Sequence, residues 1–131
     1  MPRTVTPMHK VLRWTSAVVY LFILTFLLLR AVPARIIPIF PQADKVAHFL
    51  ALGLLAVLFL RAMTNPRSET SSTPAWVIAL LVPTAYAIAI EFAQEHVGRT
   101  FEVLDMLAGA LGILALTLLW ARLRKRFLLF R

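Results

Sequence analysis

The chain has 131 residues, of which 60% are hydrophobic and only 15% charged, and its mean hydropathy is +0.81. That balance excludes an ordinary soluble domain, in which about 25% of residues are charged, and the lack of cysteine excludes disulfides, thiolate metal ligands and cysteine nucleophiles. A net charge of +8 would suggest nucleic acid in a soluble protein, but here the basic residues flank apolar runs, where membrane topology accounts for them, so no nucleic-acid partner is assigned.

Four apolar runs each approach the ~17 to 25 residues that a helix needs to cross a bilayer. They are apolar nearly all round, unlike the two-faced helices of a soluble bundle. The expected fold is therefore all-α. It is a polytopic membrane protein, a bundle of four transmembrane helices at about 14–32, 46–63, 74–97 and 101–121, in a single domain covering 1–131 with a basic tail at 122–131.

The first run follows Arg3, Lys10 and Arg13. A secretory signal with a cut after Ala34 competes for it, but Arg30 falls between the apolar stretch and that cut, which favours a membrane helix. The next loop carries Pro33, Pro38 and Pro41 among Ile36, Ile37, Ile39 and Phe40, so it is expected in the headgroup region or folded back on the bundle. The second run opens on Asp44, Lys45 and His48. Residues 65–74, NPRSETSSTP, read as a solvated connector. Pro83 predicts a bend in the third run, because it lacks a backbone donor and crowds the carbonyl of Ala79. The fourth run carries Asp105, Gly109 and Gly112, and the plain role of the tail after it is to hold the C-terminus inside.

Of the 14 Lys and Arg residues, ten fall before run one, between runs two and three, or after run four. The other four, Arg30, Arg35, Lys45 and Arg99, fall on the opposite side. The positive-inside rule then places both termini in the cytoplasm and the protein in the inner (plasma) membrane as a multi-pass protein. Trp14, Trp76 and Trp120 would lie at the cytoplasmic interface. Of the six acids only Glu69 is inside; Asp44, Glu91, Glu95, Glu102 and Asp105 are outside.

Helical spacing groups the polar residues into stripes. Helix two offers Asp44, Ala47, His48 and Ala51; helix three Thr84, Ala87, Glu91 and Gln94; helix four Asp105, Ala108, Gly109, Gly112 and Ala115. Small residues permit the close backbone approach on which helix association in lipid relies, so Gly109 and Gly112 are assigned to packing and the stripes are expected to face one another. Asp44, His48, Glu91, Gln94 and Asp105 would then meet in an outward-opening cleft, with Arg99 above it as the partner of Asp105 or Glu91. Lys45 is expected on a different face from Asp44. Asp105 is read as too deep to cap a helix that begins near Thr100.

The blocks DKVAHF (44–49), EFAQ (91–94) and GRTFEVLDMLAGALG (98–112) resemble the VanZ-like family, small bacterial membrane proteins named for a teicoplanin-resistance protein. The resemblance covers 44–112 and places family positions on Asp44, Lys45, His48, Glu91, Gln94, Arg99, Asp105 and Gly112. It departs at Gly109, where family members often carry Asn. It implies an envelope protein, with a link to antibiotic resistance through the family name, and no particular reaction.

The expected function is an outward-facing polar cleft that engages an anionic amphiphile, a lipid phosphate or a cell-wall precursor, through Lys45, Glu91, Gln94 and Arg99. Membrane lipid is the other partner, and oligomerisation stays open. The enzyme alternative makes the protein an outer-leaflet hydrolase or transferase with His48 as acid or base beside Asp44 or Asp105, and no nucleophile stands out. A proton-coupled transporter using Glu91 and Asp105 is the third. No cofactor is assigned. No metal is assigned either, although His48 with Asp44 and Glu91 or Asp105 is a nitrogen and oxygen set of the kind zinc or manganese accepts.

Overall fold

The computed structural model describes residues 7–30, 42–64, 72–98 and 101–129. They form α1 (Pro7–Leu29), α2 (Ala43–Met63), α3 (Thr73–His96) and α4 (Val103–Leu129), with no strand among the described residues. All four are long and apolar enough to span a membrane. Backbone polar groups have no water to bond in lipid, and a helix satisfies them within itself.

The helices run longer than the apolar runs. Pro7 opens α1, a position where its missing N–H costs nothing, and α4 continues through the basic residues to Leu129. Ser72 caps α3 by accepting from the Ala75 amide. The helix then passes unbroken across the buried Pro83. Its end is a turn closed by Gly98, whose φ of 82° suits a residue without a side chain. The proline-rich stretch 31–41 and the connector 65–71 lie outside the described residues.

Antiparallel order puts the starts of α2 and α4 and the ends of α1 and α3 at one end of the bundle. The hub is α2, which packs on all three other helices and most closely on α4. These two run parallel, in a register that sets His48 level with Asp105, Leu52 with Gly109, and Gly53 with Gly112. A Cβ on Gly53 would stand 2.5 Å from the Gly112 carbonyl oxygen, so the two backbones touch there.

The core between helices is built on Leu24, Leu28, Leu52, Leu55, Ile90 and Ile113. Polar bonds bind α1 to it: Tyr20 donates to the Ala51 carbonyl at 3.0 Å, and Thr25 and Tyr86 hydroxyls pair at 2.9 Å. Val11, Phe22, Phe26, Leu81, Leu107 and Leu111 are among the large side chains left exposed on the outside. So much open apolar surface fits lipid and not water. At the end away from His48, Trp14 meets Phe59 edge-on, while Trp76 and Trp120 pack near Leu60 and Ala79. All three indoles thus share one end, as an interfacial belt requires.

Two stripe assignments need correction. Ala47 and Ala115 are exposed, whereas Gly53 and Leu55 are buried. Because α2 is enclosed by three neighbours it has no single inward face. The α3 stripe, Thr84, Ala87, Glu91 and Gln94, does lie inward.

Candidate functional site

The polar residues meet where α2 and α4 begin and α3 ends. The centre is His48, whose side chain is 2% exposed. Its Nδ1 lies 3.1 Å from the Asp44 backbone oxygen, 3.7 Å from Asp44 Oδ1 and 3.8 Å from Asp105 Oδ2. On the other edge of the ring, Nε2 stands 4.0 Å from Glu91 Oε2 and has no hydrogen-bond partner. One imidazole is therefore faced by carboxylates from three helices. One carboxylate oxygen each of Asp44 and Asp105 and one ring nitrogen of His48 lie within 4.8 Å of one another.

Glu91 is 1% exposed, and its Oε1 accepts the Glu102 backbone N–H at 2.8 Å. It thereby takes one of the free donors at the start of α4, where the helix dipole favours negative charge. Since α4 begins at Val103, Asp105 sits in its first turn, with its amide bonded to the Glu102 carbonyl. The expectation that Asp105 is too deep for the helix start is thus corrected.

Lys45 is the described cation of the site. Its Nζ reaches Glu102 Oε2 at 2.9 Å and Asp105 Oδ1 at 3.3 Å. Lys45 starts on a different face from Asp44, and its four-carbon stem carries the ammonium round the helix to the acids of α4. Glu102 was missed as a site residue. Its signal is its spacing, three residues before Asp105 at the start of a helix.

Arg99 and Thr100 lie outside the described residues. The partners sought for Asp105 and Glu91 are supplied by Lys45 and by the Glu102 amide. Gln94 is buried, but its Nε2 donates to the Leu28 carbonyl at 2.9 Å, turned towards α1 and away from His48. Gln94→Leu is expected to loosen α1 by about 0.6 to 1.7 kcal/mol, the range of single hydrogen bonds between membrane helices. Thermal unfolding in detergent measures this, and an unchanged midpoint would show that the bond contributes nothing net.

Gly109 and Gly112 lie under the site on the α2 seam, packed on Leu52 and on the Phe49 backbone respectively. The site is thus polar at the rim, lined by carboxylates around His48 and sealed beneath by backbone contact. No curated protein and no solved structure matches the chain significantly. A family model described as VanZ/LLP1 matches residues 4–125, nearly the whole chain, and the protein belongs to the VanZ/LLP1 family.

Proposed function

We propose that this protein is an envelope protein of the bacterial plasma membrane that holds the headgroup of an anionic amphiphile, a lipid phosphate or a cell-wall precursor, at the His48 end of its bundle. That end faces outward in this reading, as the distribution of Lys and Arg supports. The observation that carries it is the confinement of Asp44, Lys45, His48, Glu91, Glu102 and Asp105 to one end of a bundle whose outside is apolar. A ligand that meets polar groups there while its chains remain in lipid is an amphiphile.

Two features favour an anionic headgroup. The N-termini of α2 and α4 both lie at this end and present positive dipole ends. Lys45 remains 26% exposed although it is doubly paired, and the sequence carries a second cation, Arg99, between α3 and α4. Full-length protein in nanodiscs, titrated with a polyprenyl phosphate, tests this. Lys45→Ala and Arg99→Ala are each expected to weaken binding by about tenfold, equivalent to about 1.4 kcal/mol. Wild-type affinity in both variants, with unfolding midpoints unchanged, would overturn the reading. Growth in teicoplanin is the cellular comparison.

One observation favours a second reading, an outer-leaflet hydrolase or transferase: His48 has carboxylates on both ring edges, as an oriented acid or base requires. Release of labelled product from lipid-linked substrates, lost in His48→Gln, would support it. A panel left unaltered by the wild type would support binding alone. Transport gains nothing similar, because Gly53 and Gly112 close the α2–α4 seam directly below His48.

A further inference from the structure

Four carboxylates, those of Asp44, Glu91, Glu102 and Asp105, surround one lysine and one imidazole. Among the described side chains of the site the acids therefore outnumber the cations, and a phosphate bound here meets carboxylate as well as ammonium. The imidazole makes the same point at atomic scale. With its proton on Nδ1, His48 turns the Nε2 lone pair towards Glu91; with the proton on Nε2, it turns the Nδ1 lone pair towards three oxygens of Asp44 and Asp105. Either neutral tautomer leaves one ring nitrogen facing carboxylate oxygen without a hydrogen bond. A cation among the oxygens on the Nδ1 side would answer that.

We propose that Asp44, His48 and Asp105 bind a divalent metal ion of the zinc or manganese class, and that this ion is the anchoring point for the anionic headgroup. The second half rests on the reading given under Proposed function; the first half does not. One donor atom from each of the three residues lies within 4.8 Å of the others. Donors bound to zinc at about 2.1 Å stand about 3.4 Å apart in a tetrahedron. The 3.7 and 3.8 Å separations from His48 Nδ1 are slightly wider than that, so small side-chain movements close the set around an ion.

One buried atom points the same way. His48 is 2% exposed and its Nε2 has no hydrogen-bond partner, whereas Asp105 Oδ1 is held by Lys45 at 3.3 Å. When Nδ1 ligates, the ring proton sits on Nε2, and Glu91 Oε2 is the acceptor that faces it. That is the carboxylate–histidine–metal arrangement in which an outer carboxylate fixes the tautomer and orientation of the ligand. Lys45 holds Asp105 through Oδ1 and leaves Oδ2 on the His48 side. A histidine and two carboxylates leave a fourth position for water or a phosphate oxygen. Asp44, 48% exposed, marks the side from which a ligand enters. A protonated imidazole is the rival, and it offsets one negative charge where a divalent ion offsets two.

The test uses full-length protein without a histidine tag, stripped with chelator and held in nanodiscs, in a His9→Gln, His96→Gln background that removes the other imidazoles. Zinc and manganese are titrated by calorimetry, bound metal is counted by elemental analysis, and cobalt(II) is added for its visible ligand-field bands. The expected result is one ion per chain, with affinity reduced about tenfold or more in Asp105→Asn and His48→Gln, and kept in Glu95→Gln. Asp44→Asn, at the exposed ligand, repeats the test if a buried variant does not fold. No stoichiometric binding by the unaltered site, or binding as tight as that of the unaltered site in both Asp44→Asn and Asp105→Asn, overturns the proposal. Polyprenyl phosphate binding that survives chelation removes the metal bridge and leaves the cleft reading intact. Metal binding without lipid binding does the reverse.

Discussion

Gly112→Ala is expected to lower the unfolding midpoint of the solubilised protein more than the same change at Gly53 or Gly109. Alanine gains about 1 kcal/mol over glycine in helix propensity, so a glycine seam persists only where a methyl group costs more than that. At Gly112 the added Cβ would run into the Phe49 carbonyl oxygen, with the Phe49 carbonyl carbon 2.6 Å and Cα 2.8 Å away. These are backbone atoms of a helix, and they move only if α2 and α4 separate. At Gly53 the obstacles are the Gly112 carbonyl oxygen and the flexible tip of Leu116 at 2.6 Å. At Gly109 it is the tip of Leu52 alone, with the next atom 3.6 Å away. Overpacking costs about 1 to 3 kcal/mol, which leaves Gly109→Ala near neutral and Gly112→Ala destabilised by about 2 kcal/mol. Separating the helices also draws Asp105 away from Asp44 and His48, so Gly112→Ala should lose metal and lipid binding in parallel. Equal midpoints for Gly109→Ala and Gly112→Ala would show that the seam is not close-packed.

The same seam shows what the sequence reveals and what it hides. Span number and position are legible because lipid demands unbroken apolar length, which Leu, Val, Ile and Ala runs display directly. Helix ends are not, because outside the hydrocarbon a helix needs no apolar side chains. That is how α1 begins at Pro7 and α4 extends to Leu129. Periodicity identified the inner face of α3, which packs by one stripe, and misjudged α2, which is enclosed on several sides. Gly53 escaped notice for that reason.

At the site, Asp44, His48, Glu91 and Asp105 are brought together as their spacing predicts. Reach and direction are less legible. Lys45 crosses to α4 on a long flexible stem, and Gln94 turns its amide to α1, a choice among neighbours that a one-dimensional pattern does not contain.

Glu91 separates two roles that are otherwise entangled, and its substitution carries the second large effect. Glu91→Ala removes the acceptor of the Glu102 amide at the start of α4 and the charge that faces His48. Deleting a buried acceptor leaves its donor unsatisfied at a cost of about 1 to 3 kcal/mol, and more where the group is charged. Glu91→Gln keeps nearly the same volume and a carbonyl oxygen for the amide, so only the charge is lost. We expect Glu91→Ala to lose about 3 kcal/mol in reversible unfolding and Glu91→Gln about 1 kcal/mol, near the net value of a single hydrogen bond. Hydrogen exchange at Glu102 should accelerate in the alanine variant and stay slow in the glutamine one. If both variants lose equal stability, the charge matters and the bond to α4 does not. If neither does, Glu91 is not an anchor of the bundle, and its burial has to be explained by the ligand alone.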